Sequence, residues 1–163
     1  MSNLPKILTS KAIIRFQDCD PFNHLNNSKY IDYLMNARED QILKNYQLDI
    51  FDYARKKGKS WVVKSNQIAY LKPAFLMESV TIESQLMHYN EKELSVELRM
   101  WDNNQTHLKA LLWSTFSHFD IKAQESTIHE EELLKLFDSI MLPIESKSFE
   151  KRVLEYKPTH NIR

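Results

Sequence analysis

The chemistry-bearing residues of this chain crowd into one short polar stretch, Asp18-Cys19-Asp20-Pro21-Phe22-Asn23-His24-Leu25-Asn26-Asn27-Ser28-Lys29-Tyr30. Two carboxylates, a thiol and an imidazole precede a pattern that turns helical at Lys29. A carboxylate just ahead of a helix start suits attack on a carbonyl. Asp20 can activate a water as general base, or attack directly and form a mixed anhydride. The first helical turn offers unpaired N–H groups and a partial positive charge. An oxyanion beside Asn27 or Ser28 is stabilised there, and one such donor is typically worth about 3–4 kcal/mol in the transition state. Pro21 restricts the turn and helps hold Asp20 in one orientation.

The other polar residues of the stretch have plainer readings beside their chemical ones. Asp20 itself could be an Asx-turn residue. Asp18 is read as structural, because neighbouring carboxylates disfavour joint ionisation. His24 either lines a substrate pocket or orients the loop by a hydrogen bond. The Asn26 and Asn27 side chains are expected to satisfy loop and helix-end backbone groups. Tyr30 is read as core or pocket wall. Cys19 lacks a fixed histidine partner, so its thiol reads as a small packed group. His88, His107, His118, His129 and His160 share no zinc-ligand spacing, and no metal is expected.

Elements able to position this loop can be read from hydrophobic period. Ala12 to Gln17 predicts a short strand before it. Lys29 to about Tyr46 predicts a helix, with Tyr30, Ile31, Leu34, Ala37, Arg38 and Ile42 at helical spacings. Residues 47 to 59 read as a Lys-rich connection ending at Gly58. Trp61 to Tyr70, then the alternations Val80-Ile82-Leu86, Leu94-Val96-Leu98-Met100 and Leu108-Ala110-Leu112-Phe116, predict consecutive long strands, with Trp113 on the opposite face. The polar links 89–92 and 102–105 favour antiparallel hairpins. A helix is expected over His129 to Ser139, and the tail from Pro143 is assigned no element. A sheet with one apolar face needs a cover, and the helix after the loop is the long early element available. The expectation is an α+β fold, an antiparallel sheet curled around that helix, whose outer edge and face favour self-association. It is expected to form one domain over residues 1–163.

Composition narrows the function. Lys plus Arg equal Asp plus Glu at 22 each, so no bulk cationic excess exists for nucleic acid. The single glycine excludes a Gly-rich phosphate loop, which needs several in one short stretch. The single cysteine excludes an internal disulfide. No apolar run approaches a membrane span, and no secretory signal is read at the start, so the cytoplasm is the expected compartment.

The stretch from Asp18 to Tyr30 resembles the signature loop of the hot-dog-fold acyl-CoA thioesterases, closest to the 4-hydroxybenzoyl-CoA thioesterase-like group. Tyr70-Leu71-Lys72-Pro73-Ala74 resembles a second feature of that family. The resemblance covers roughly residues 11 to 120, leaving 121–163 as an extension with a helix. It implies hydrolysis of a thioester to a free acid and coenzyme A, without a cofactor, in a homodimer or homotetramer. By position, Asp20 matches the family carboxylate and Asn27 the helix-start N–H. Asn23 stands where many relatives carry Gly, and Asn tolerates positive φ better than most residues. His24 and Tyr30 are then candidate substrate-binding residues. So are Lys64 and Ser65, on the strand that borders the pantetheine arm by resemblance. Glu39 could be a second carboxylate, but the run Arg38-Glu39-Asp40 reads as a solvated face. Lys56, Lys57 and Lys59 are weighed as contacts to coenzyme A phosphates against a solvated connection. Enoyl-CoA hydratases share the fold, but their loop sets His closer to the Pro than His24 is to Pro21. An acyl-carrier-protein substrate and a non-catalytic acyl-binding domain stay open as alternatives.

Overall fold

The computed structural model describes residues 3–157. Strand β1 (Ile7–Ile13) leads through the polar loop into helix α1 (Tyr30–Tyr46). Helix α2 (Ile50–Lys57) follows, then strands β2 (Lys59–Tyr70), β3 (Ser79–Tyr89), β4 (Glu93–Asp102) and β5 (Leu108–Asp120). A two-residue β6 (Glu125–Ser126) pairs with β5, and helices α3 (Glu131–Ile140) and α4 (Phe149–Tyr156) complete the order. The sheet runs β1-β3-β4-β5-β2, with every pairing antiparallel.

Strict alternation sorts the strands onto two faces. Leu8, Val80, Ile82, Val96, Leu98, Met100, Ala110 and Leu112 form the inner core with Leu34 and Ala37 of α1. The α+β arrangement of a sheet around one long helix is therefore the observed one. A polar strip crosses this core. Gln41 is buried; its amide donates to Ser10 Oγ (2.8 Å) and the Ile82 carbonyl (3.0 Å), and accepts from Ser84 Oγ (2.5 Å). Satisfied in this way, a buried amide fixes the rotation of α1 against β1 and β3 rather than weakening the core.

The sequence-based boundaries need four corrections. The first strand lies at Ile7–Ile13, not Ala12 to Gln17, because Leu8, Ser10 and Ala12 pair in register with β3 while the chain beyond Ile14 turns away. The connection 47–59 contains α2. Asp49 caps it by accepting from the Phe51 and Asp52 N–H groups, and the chain's single glycine, Gly58, ends it at φ 66°, the left-handed conformation a helix C-terminus favours. The third helix starts two residues later than expected and ends at Ile140. The tail holds α4, capped by Ser148, whose Phe149 and Val153 pack on Leu108, Leu111 and Trp113.

That last element changes the outer face of the sheet, which was expected to be available for self-association. Here α4 covers part of it through an ion network. Glu97, fully buried, accepts from Arg99 (2.5 Å), Arg152 (2.7 and 2.9 Å) and Trp113 Nε1 (2.7 Å). Burial alone would raise its pKa, but these donors override it and lower the pKa. At the far end of the sheet, the Tyr53 hydroxyl donates to Glu130 (2.6 Å) and lies 3.0 Å from His118 Nε2, while Lys59 pairs with Glu130 (3.0 Å). This cluster ties α2 to the start of α3. Lys56 is paired with Asp52, so two of the three lysines weighed for phosphate contact are engaged within the chain.

Candidate active site

The loop is built from hydrogen bonds more than from packing. The Asp20 N–H donates to the His24 carbonyl (2.8 Å), and the Asn23 N–H to the Asp20 carbonyl (3.0 Å). Asn23 takes φ 61°, the left-handed conformation expected of a residue standing in place of Gly. Across this turn Asp20 Oδ1 accepts from the Phe22 N–H (2.8 Å) and the His24 N–H (3.1 Å). One carboxylate oxygen is thus pinned to the backbone. Among the described residues no donor takes the other, Oδ2.

The turn is joined to the helix start on its far side. Cys19 and Leu25 form an antiparallel bridge, and the Asn26 N–H donates to the Asp18 carbonyl (2.9 Å). Asn26 Oδ1 accepts from the Ser28 N–H (2.9 Å) and Oγ (2.8 Å), capping the short 3-10 turn Asn27–Lys29 that opens α1. Among the described residues no acceptor takes the Asn27 N–H, as the first donor of a helix should be. Its carbonyl is held by the Tyr70 hydroxyl at 3.0 Å. A carboxylate with one free oxygen and a helix-start N–H with no acceptor therefore stand on one rigid loop.

The supports explain the neighbouring residues. Tyr30 is buried beneath the loop; its hydroxyl accepts from the Ala74 N–H (3.1 Å), and its ring meets Tyr70 edge-on at 5.1 Å. Burial raises its pKa first of all causes. The Leu25 N–H donates to the Ala74 carbonyl (2.8 Å), so the Lys72-Pro73-Ala74 segment is the floor of the site. Asp18 accepts from the Tyr33 hydroxyl at 2.6 Å; burial and this carboxylate push Tyr33 up to about 12. Burial, then Asp20 and Asp18, also raise the Cys19 thiol, leaving less thiolate for a nucleophile. His24 is half-buried, edge-on to Phe75 at 5.1 Å.

Lys64 and Ser65 stand apart from this group. Both are exposed on β2, beside a register shift between Val63 and Ser65, and Lys64 pairs with Glu93. Neither bonds to the loop. Among the described residues no cluster of His, Cys, Asp and Glu could hold a metal ion, and no helix is long and apolar enough to cross a membrane. His160 lies outside the described residues. Sequence reasoning missed Tyr33 and Tyr70 as loop supports. A tyrosine three residues after Tyr30, and another opening the Leu-Lys-Pro-Ala segment, were the available signals.

A cavity of about 260 Å³ runs beside the C-terminal half of α1, between the inner sheet face and α3. Met35, Ile42, Trp61, Val96, Phe116 and Phe137 supply apolar wall. The run Arg38-Glu39-Asp40, read as a solvated face, is split. Asp40 is exposed, but Arg38 and Glu39 are half-buried and line this cavity.

Comparison with known proteins identifies the family and the fold. The model of the thioesterase-like superfamily matches residues 14–148. Long-chain acyl-CoA thioesterase FadM of Escherichia coli strain K12 is 30% identical over 130 residues, covering 78% of this chain and 95% of that protein. The crystal structure of YbaW, a probable thioesterase from Escherichia coli, superposes with a TM-score of 0.70 at 26% identity, covering 83% of this chain and 99% of that one. A Staphylococcus aureus protein, SAV2348, solved in complex with CoA, shares the fold with a TM-score of 0.78 at 12% identity, over 91% and 94% of the two chains. The chain belongs to the thioesterase-like superfamily, a hot-dog thioester hydrolase by family and by fold.

Proposed function

We propose that this protein hydrolyses acyl-CoA thioesters, with Asp20 as the acting carboxylate and the Asn27 N–H as oxyanion donor. The observation that carries the reading is the asymmetry of Asp20: Oδ1 is pinned by the Phe22 and His24 N–H groups, and Oδ2 has no donor among the described residues. A pinned carboxylate keeps its orientation while its second oxygen takes a proton. In the base route, water attacks the thioester carbonyl and gives its proton to Oδ2. The tetrahedral oxyanion accepts from the Asn27 N–H. Collapse expels the thiolate of coenzyme A, which recovers the proton, leaving the free acid. In the nucleophile route Oδ2 attacks the carbonyl and the C–S bond breaks, expelling the coenzyme A thiolate; water then opens the mixed anhydride to the free acid and the Asp20 carboxylate, its second proton going to the thiolate. FadM, by its name a long-chain acyl-CoA thioesterase, supports the choice of substrate class.

The reading includes a homodimer formed through β2. That strand is the sheet edge, and residues 62–67 are exposed on both faces, with Val62 and Val63 among the exposed apolar groups. A long open edge of this kind is a template for pairing, and a second copy closes it isologously. Lys64 and Ser65 then meet the pantetheine arm only where the two copies join. His24 and Phe75 form the rim beside Asp20, and Tyr30 supports it from below.

The test is thiol release from acetyl- through palmitoyl-CoA and benzoyl-CoA, with the same acyl groups on carrier protein, and sedimentation of the purified chain. Turnover of the CoA series and a species of twice 19.4 kDa are expected. A folded protein that cleaves no thioester sinks the reading.

A further inference from the structure

The cavity beside α1 holds a charge that its apolar walls do not explain. Arg38 lines it. One guanidinium nitrogen donates to Ser84 Oγ at 3.0 Å, yet the group carries five N–H donors. Among the described residues it forms no ion pair, although Arg99, Arg152 and Lys109 each have a carboxylate. Glu39 lines the same cavity without pairing with it. Burial first, and Asp40 second, raise the Glu39 carboxyl. The Tyr46 phenol is a second partner of the guanidinium and works against burial to raise the Arg38 pKa, while its own hydroxyl donates to the Pro5 carbonyl at 2.6 Å. Burial lowers the Arg38 pKa to about 10, which leaves it charged at neutral pH. Arg38 is half-buried; a partly desolvated cation without an anion carries a cost that an anion entering the cavity offsets.

We propose that this cavity takes an aliphatic chain ending in a carboxylate, with the carboxylate on the Arg38 guanidinium. The walls suit methylenes, and the planar fork matches a carboxylate two bonds at a time. A dry cavity of 150 Å³ accommodates benzene, so about 260 Å³ corresponds to a chain of roughly ten carbons. Arg38 stands two turns along α1 from Tyr30, roughly 12 Å at 1.5 Å per residue, so a chain whose thioester sits at the helix start can reach it. The carboxylate can come from two sources: the distal end of an ω-carboxyacyl thioester, or a free fatty acid such as the hydrolysis product. The first source rests on the thioesterase reading above; the second does not.

Binding and turnover separate these. Decanoate, decanedioate and 1-decanol are titrated into the full chain by calorimetry, alongside Arg38→Met and Arg38→Lys. Decanoate is expected to bind roughly 10- to 100-fold tighter than 1-decanol, the gap of a charge-assisted pair. Arg38→Met should erase that gap while keeping alcohol binding, and Arg38→Lys should keep part of it. If Arg38→Met does not fold, decanoate labelled with carbon-13 at its carboxyl decides on the unmodified protein. The bound carboxylate should stay ionised below its free titration range. Equal affinity for acid and alcohol, or a bound carboxyl that titrates as in water, overturns the proposal. Hydrolysis then names the source. A kcat/KM about tenfold higher for ω-carboxynonanoyl-CoA than for decanoyl-CoA, lost in Arg38→Met and partly kept in Arg38→Lys, supports the thioester. Preference for decanoyl-CoA with decanoate binding intact supports the free acid. Carboxylate binding without cleavage of any thioester fails the thioesterase reading alone.

Discussion

The Asp20 loop and the cavity sit at opposite ends of α1 and are built from different forces. The loop is held by backbone and side-chain hydrogen bonds, with Leu25 as its buried anchor and Phe22 exposed at its tip. The cavity is held by apolar packing of α1, the sheet and α3, with Arg38 and Glu39 as its ionisable lining groups. Hydrogen bonds fix direction, which a reacting carboxylate needs. Packing fixes volume, which a chain-binding site needs. Loop substitutions should therefore separate activity from stability, and cavity substitutions should couple them.

The sharpest test of that contrast is Asp20→Asn. The amide oxygen still accepts from Phe22 and His24, while the carboxylate proposed to act is gone. Thioester turnover should fall roughly 10²- to 10⁴-fold with the thermal midpoint unchanged. A large drop in midpoint would show that the loop, too, is held through its charge. On the other side, Phe137→Ala removes a buried ring of α3 that lines the cavity. It should cost about 3–5 kcal/mol in chemical denaturation and shift the preferred acyl length upward. Tyr30→Phe tests the joint between the two regions. It strips the acceptor from the Ala74 N–H, with an expected loss of about 1–3 kcal/mol and a lower kcat, because Ala74 also holds Leu25. No change in kcat would detach the loop from its floor.

The smallest effect concerns pH, at the cluster that ties α2 to the start of α3. Burial alone would raise Glu130, but hydrogen bonds from Tyr53 and Lys59 bring its pKa down to about 2, from an ordinary 4.5. A depressed carboxyl contributes stability that is present above the ordinary value and lost as pH falls toward 2. Glu130→Gln should thus lower stability at pH 7 and converge with the parent protein near pH 2. Denaturation at both pH values checks it. A constant gap would place the effect in packing of α3 rather than in charge.

Much of this architecture was legible without coordinates, for reasons particular elements make plain. The alternation Leu94-Val96-Leu98-Met100 states a strand with one buried face, and those residues do line the inner core. Uninterrupted helical spacing from Tyr30 to Tyr46 states the central helix. By contrast, α2 was hidden because its N-cap Asp49 and terminator Gly58 enclose a short segment rich in lysine. For α4, the holding interactions are long-range: Arg152 reaches Glu97 on β4, a pairing no local window contains.

The candidate site divides in the same way. Asp20, Pro21, Asn23 and Asn27 act through local geometry, a turn and a helix start, and short-range sterics and hydrogen bonding are written in residue order. The amino-acid sequence by itself therefore determined the loop, its left-handed Asn23 and the helix behind it. Which groups close around that loop was decided only by the tertiary structure. Tyr70 on the Asn27 carbonyl, Ala74 on Tyr30, and Arg38 turned inward from a charged run all depend on strands and helices distant in the chain. Burial and the absence of a counter-charge are properties of what surrounds a residue, and those surroundings exist only once the sheet has closed over α1.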